Sequence, residues 1–215
     1  MGEGQLCLQK TLKGIVMKIG IIGTGGIGQA LASHIAKAGY EIIVSNSRGP
    51  ESLAALVTKL GPRAKAGTRQ EAAQADVVVL AVPWEHVRGA LSDLPSWNGR
   101  ILIDATNPII EPDFRMADLN GSTSSEIVAS LAPGAHVVKA ANTLLRAVLA
   151  ADPNEAGGHR VLFMSGDDAA AKAEVNDILG KVGFATIDLG GLASGGRLQQ
   201  FPGGSLPTLN LIKLD

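Results

Sequence analysis

Aromatic residues make up only 3% of the 215-residue chain, so any core must be built from aliphatic side chains and alanine. Cysteine is scarcer still. Cys7 stands alone, which excludes an internal disulfide or a cluster of thiolate metal ligands and fits a reducing cytoplasm. The four histidines, His34, His86, His136 and His159, are scattered without metal-ligand spacing, so no metal site is expected. Neither sign of charge is in excess. A net charge of −1 argues against nucleic acid or an anionic membrane as the main partner. No apolar run approaches the roughly 18 residues of a membrane span. What remains is a globular composition, 46% hydrophobic and 18% charged. The 27 glycines follow no triplet period, so they indicate tight turns and close backbone approaches.

Short apolar runs alternate with helical patterns. The runs KIGII (18–22), EIIVS (41–45), DVVVLAV (76–82), ILIDA (101–105), HVVKA (136–140), RVLFMSG (160–166) and FATIDL (184–189) predict strands. Helices are expected over 27–38, 50–60, 84–91, 124–131 and 167–182, with Pro50 in a first turn and Asp167 and Asp168 at an N-terminus. Thr68-Arg-Gln-Glu71 is a capping box that opens another short helix. Alternating β and α with wholly apolar strands implies an α/β fold, a Rossmann-like doubly wound parallel sheet. Residues 17–215 form one domain in this reading, with a dinucleotide-binding core over 17–145 and a small C-terminal α/β lobe over 146–215. Residues 1–16 read as an N-terminal extension, disordered or partly ordered, since Met17 opens the first strand. The tail, ending LPTLNLIKLD, is apolar enough to cover a site or a partner subunit, which makes a homodimer a candidate.

Gly23-Thr-Gly-Gly-Ile-Gly28 is a G-x-G-x-x-G loop between the first strand and the first helix, the context that gives this pattern meaning. Gly23 permits the tight turn, Gly25 lets backbone approach a pyrophosphate, and Gly28 lets helix and strand pack closely. The amides of Thr24, Gly25, Gly26 and Ile27 then face an anion, assisted by the helix dipole. About twenty residues on, many such proteins carry an acid that holds the adenosine ribose. Here the strand ends in Ser45, Asn46, Ser47 and Arg48. Ser47 and Arg48 would donate to a 2′-phosphate, Arg48 through a planar fork, so NADP(H) is expected over NAD. The alternative for Arg48 is a solvated residue ahead of a helix. At the end of the next long strand, Ala81, Val82 and Pro83 are candidates to line the cofactor path. Trp84 and His86 follow, either in the cleft or as a core residue and a surface residue.

These segments resemble a known family. GTGGIG, SNSR, VPWEH, STSSEIVASLAPGAHVVKAANT (122–143), SGDD (165–168) and GGRL (195–198) occur in this order in NADP-dependent oxidoreductases of the deazaflavin F-420 type, and the resemblance runs from Met17 to the end. Ferric-reductase domains of the transmembrane epithelial-antigen type are similar too. The resemblance implies an enzyme that moves hydride between NADP(H) and a small-molecule acceptor, either deazaflavin F-420 or a flavin, lying face to face with the nicotinamide. It places Asn142 where archaeal members carry a histidine that shapes the acceptor site. Thr106, Asn107, Asn142 and Thr143 would then flank nicotinamide and acceptor, with His86 a further candidate for proton transfer. Asn107 and Asn142 could instead bond their own loops, and Arg197 would either steer an anionic acceptor or pair at the surface. Two other functions fit the N-terminal half. One is an imine reductase or dehydrogenase, which usually builds its pocket on a large helical domain for which little chain remains. The other is an NADP-sensing regulator without chemistry.

Overall fold

Strands buried on both faces need cover on both faces, and the chain supplies it. The computed structural model describes residues 17–214; the extension assigned to residues 1–16 lies outside them. The elements run β1 (Lys18–Ile22), α1 (Gly26–Lys37), β2 (Glu41–Ser45), a 3₁₀ turn over Pro50–Leu53, α2 (Ala54–Leu60), β3 (Ala64–Ala66), α3 (Arg69–Ala73) and β4 (Val77–Leu80). A second 3₁₀ turn, Trp84–His86, leads into α4 (Val87–Leu91), then β5 (Ile101–Asp104), a small hairpin of β6 (Ile109–Ile110) and β7 (Arg115–Met116), α5 (Ser124–Leu131) and β8 (His136–Ala140). The remainder is α6 (Arg146–Ala150), β9 (Asn154–Glu155), β10 (Gly158–Gly166), α7 (Ala169–Val182), β11 (Ala185–Asp188), α8 (Gly195–Gln199) and β12 (Ile212–Leu214).

The sheet order is β3-β2-β1-β4-β5-β8-β10-β11. The first six strands are parallel, which is the doubly wound Rossmann arrangement. β10 joins β8 antiparallel and β11 follows it parallel. The sheet is therefore parallel through its centre and reversed at one margin, where residues after 145 add strands to the same sheet. β9 and β12 pair with the start of β10.

Side-chain alternation explains the uninterrupted apolar strands. Val77 and Val79 of β4 point into a core with Leu31 and Ile35 of α1 and Val175 and Ile178 of α7. Val78 and Leu80 point into the opposite core with Val87 and Leu91 of α4, Trp97 and Val128 of α5. Helix ends follow local chemistry. Thr68 and Thr123 each form a complete capping box with the glutamate three residues on. The Thr68 amide, helped by the Thr68 hydroxyl, holds the Glu71 carboxyl below the ordinary glutamate range. Asp168 caps α7 by accepting from the Ala171 amide at 2.7 Å, and Gly183, at φ +111°, ends it.

Gly20 in mid-β1 has no side chain because α3 crosses there. A β-carbon at Gly20 would fall 1.9 Å from the Ala72 carbonyl oxygen. Gly20→Ala is therefore expected to destabilise the fold by about 1–3 kcal/mol, the usual cost of forcing backbone apart in a packed core, as measured by urea denaturation.

Candidate functional site

The carboxyl ends of β1 to β4 open on one cleft of about 740 Å³. The glycine loop forms its inner edge. Gly23 sits at φ +100°, and a β-carbon on it would collide with the Ala81 carbonyl oxygen at 2.3 Å. Gly28 lets α1 approach the loop, since a β-carbon there would lie 2.0 Å from the Gly23 oxygen. Gly25 differs. A β-carbon on it would meet nothing within 4 Å. Packing does not demand a glycine at 25; the space in front of it belongs to the cleft. Gly25 is also the N-cap of α1, with no side-chain cap and no acid in the first turn. The helix thus presents uncapped amides and its positive end to that space, an arrangement suited to a phosphate.

The β2 end forms the second wall, and its four polar residues divide the work. Ser45 is buried and its hydroxyl donates to the Ile21 carbonyl at 3.0 Å. The Asn46 amide donates to the Ser52 hydroxyl at 2.9 Å while its oxygen accepts the Arg48 amide at 2.9 Å. Both residues therefore shape the turn. Ser47 and the Arg48 guanidinium are exposed and line the cleft, and no described side chain pairs with either. Ala81, Val82 and Pro83 close the loop side, and Thr68, Arg69, Gln70, Gly89 and Ala90 close the outer side. Arg69 donates to the Gly89 carbonyl, tying the start of α3 to α4 across the outer rim. His86 lies on the same rim, its side chain 67% exposed and 3.6 Å from the Glu85 carboxylate. Trp84 packs on the core beneath.

Thr106, Asn107, Asn142 and Thr143 follow β5 and β8 and do not line this cleft. Asn107, Asn142 and Thr143 belong to a brace, while Thr106 bonds Asp104 and Lys139. The Asn142 amide nitrogen donates to Asn107 Oδ1 and to the Gln199 carbonyl, each at 2.8 Å. Asn142 Oδ1 accepts from Gln199 Nε2 at 3.3 Å, and Asn107 Nδ2 donates to the Asn142 carbonyl at 2.8 Å. Gln199 is fully buried; its amide nitrogen also donates to the Phe163 carbonyl at 3.0 Å, and its oxygen accepts from Ser165. The tail runs over this brace. The Phe201 amide donates to Asn107 Oδ1 at 3.3 Å, and the Thr208 amide to the Thr143 carbonyl at 2.7 Å. Thr143 Oγ1 is buried without a partner among the described residues. Arg197 donates to the Gly121 carbonyl at 3.0 Å.

Beneath the brace lies a buried ion pair that sequence reasoning missed. Lys139 and Asp104 have fully buried side chains 3.2 Å apart. Lys139 also donates to the Thr106 carbonyl at 3.0 Å. Asp104 accepts from the Thr106 amide at 2.9 Å, the Thr106 hydroxyl at 2.7 Å and the Ser125 hydroxyl at 2.5 Å. An acid in one strand and a lysine in another at matching positions was the available signal. Thr68, Arg69 and Gln70 were also missed as cleft residues. Their capping box was visible, but the three-residue strand that aims it was not.

A glycine loop between a first strand and an uncapped helix, opening on a cleft at the carboxyl ends of parallel strands, defines a dinucleotide-binding α/β protein. Comparison with known proteins narrows this. Residues 18–108 match the family described as NADP oxidoreductase, coenzyme F420-dependent. A solved protein from Arthrobacter sp. FB24, assigned as an F420-dependent NADP-reductase, is 31% identical with a TM-score of 0.70, covering 82% of this chain and 86% of that one. The chain belongs to this family of NADP-dependent oxidoreductases. A hypothetical protein from Sinorhizobium meliloti has a TM-score of 0.87 and 46% identity, covering 93% of this chain and 96% of that one. Metalloreductase STEAP3 of Rattus norvegicus is 32% identical over 192 residues, 89% of this chain. The chain spans only 37% of that relative's length. Among the described residues, no helix is long and apolar enough to cross a membrane, and no group of three or more His, Cys, Asp or Glu could hold a metal.

Proposed function

We propose that the chain is an oxidoreductase that binds NADP(H) in the cleft between the glycine loop and Arg48 and exchanges hydride with a flavin or deazaflavin. The observation that carries this reading is the free space before Gly25 at an uncapped helix start, in one cleft with an arginine that no described carboxylate pairs. Residues 23–28 would hold the pyrophosphate and Ser47 and Arg48 the 2′-phosphate, while Ser45 and Asn46 keep their turn in shape. Ala81, Val82 and Pro83 would line the ribose path. His86 belongs to the wall of the adenosine half, since it shares the rim with Gly89 and Ala90.

When bound, the nicotinamide supplies a hydride, which asks the protein for alignment more than for acid or base groups. The protein's part is therefore to orient two flat rings and keep water out. Asn107, Asn142 and Thr143, held by Gln199 and the tail, would form the rigid end against which those rings stack. With its amide committed to protein partners, Asn142 acts in this reading by holding shape. The metalloreductase relative makes ferric chelates the competing acceptors.

The test is NADPH oxidation over a panel of FMN, FAD, riboflavin, deazaflavin F-420 and ferric chelates. Turnover with a flavin or deazaflavin is expected. NADPH binding without turnover on any acceptor would leave a nucleotide-binding regulator, and turnover on ferric chelates alone would move the chain to metal reduction.

A further inference from the structure

The glycine loop carries a second arginine that the reading above does not use. Gly26, the first residue of α1, occupies an unrestricted position of the G-x-G-x-x-G pattern, so its lack of a side chain needs a reason of its own. A β-carbon on Gly26 would fall 1.9 Å from Cδ of Arg146, 2.8 Å from its Cγ and 3.2 Å from its Nε. The stem of Arg146, at the start of α6, therefore lies across the first turn of α1, where a side chain at 26 would otherwise sit. The two helices are packed together, with His34 of α1 bonded to the Leu149 carbonyl of α6 at 2.8 Å.

Arg146 is exposed, and no described carboxylate pairs with it. The first turn of α1 has no acid either. A cation laid against the positive end of a twelve-residue helix is electrostatically misplaced until an anion joins them. Its direction of approach matters too. Arg48 follows β2, on one side of β1, whereas α6 follows β8, on the other side. The adenosine cleft includes Gly23, Thr24 and Gly25 but stops short of Gly26.

We propose that Arg146 is a second cationic ligand of the dinucleotide, gripping the pyrophosphate on its nicotinamide side, and that Gly26 is the gap that admits it. The proposal rests on the NADP(H) reading above. It divides recognition between two arginines: Arg48 reads the 2′-phosphate and distinguishes NADP from NAD, while Arg146 serves both dinucleotides alike.

Calorimetric titration of the wild type, Arg146→Ala and Gly26→Ala with NADPH, NADH and adenosine 2′-monophosphate tests this at one fixed salt concentration. The last ligand keeps the 2′-phosphate and lacks the pyrophosphate. Arg146→Ala is expected to weaken NADPH and NADH by the same factor, about tenfold or more for a lost charge-assisted contact, and to leave adenosine 2′-monophosphate unchanged. Gly26→Ala, which pushes the arginine aside, is expected to give the same pattern. Wild-type affinity for NADPH in Arg146→Ala overturns the proposal, as does an equal loss for the mononucleotide. A wild type that binds neither dinucleotide overturns the NADP(H) reading itself, a different result from failure of the variant alone.

Discussion

Arg48→Glu is expected to weaken NADPH binding by about a hundredfold or more while leaving NADH within about threefold. Hydrogen bonds to charged groups contribute about 1.5–3 kcal/mol each, and every 1.4 kcal/mol is about a factor of ten. Removing the guanidinium fork forfeits that contribution, and a carboxylate in its place adds repulsion toward a phosphate dianion. The substitution is a clean one because the turn does not depend on the Arg48 side chain. It is the backbone amide of Arg48 that bonds Asn46, and Asn46 is anchored in turn to Ser52. Calorimetry with both dinucleotides reads the outcome. Equal loss for NADH would mean that the turn had collapsed or that the 2′-phosphate lies elsewhere, and the NADP assignment at this strand end would fail.

Lys139→Ala is expected to lower stability by about 3–5 kcal/mol, the range for breaking a buried pair by removing one partner. In a domain of this size each kcal/mol moves Tm by about 2–4 °C, so melting should fall by roughly 6–20 °C. The Asp104 carboxylate would stay fully buried with hydroxyl and amide donors but no cation. Lys139→Met combined with Asp104→Asn, which removes both charges, should recover much of the loss, and chemical denaturation of the wild type, Lys139→Met, Asp104→Asn and the double variant forms a double-mutant cycle. If the single variant melts with the wild type, the pair contributes nothing measurable. A recovered fold with weakened turnover would place the pair's importance in holding Thr106 and Ser125.

The parallel centre of the fold was legible because burial on both faces leaves a strong local mark. IGII, VVVL and ILI have no polar alternation, and each lies where a central strand is found. The glycine loop was legible for a related reason: its spacing sits in one β-α unit, where Gly23 takes φ +100° and Gly28 meets the Gly23 carbonyl, while the contact of Gly23 with Ala81 was not visible there. What escaped depends on distant partners. β3 is three residues, AKA, and becomes a strand only through β2. An apolar run reads alike in either direction, so RVLFMSG could not disclose that it enters the sheet reversed. Gln199 looks like an ordinary polar residue near the end of the chain, and its burial against Asn142, Phe163 and Ser165 is a tertiary fact. Arg146 escaped for the same reason, since nothing near it in sequence refers to Gly26.

The tail's grip on the ends of β5 and β8 sets an order of assembly. The loop, the Arg48 turn and the outer rim all lie before residue 91, so the cleft proposed for the adenosine half has its parts once the first half of the chain has been synthesised. The opposite half waits for Gln199, Phe201 and Thr208, which reach back to Asn142, Asn107 and Thr143. A chain interrupted between the two would hold the residues proposed to grip a nucleotide without the Gln199 brace, so the brace is the part of the candidate site made last during translation.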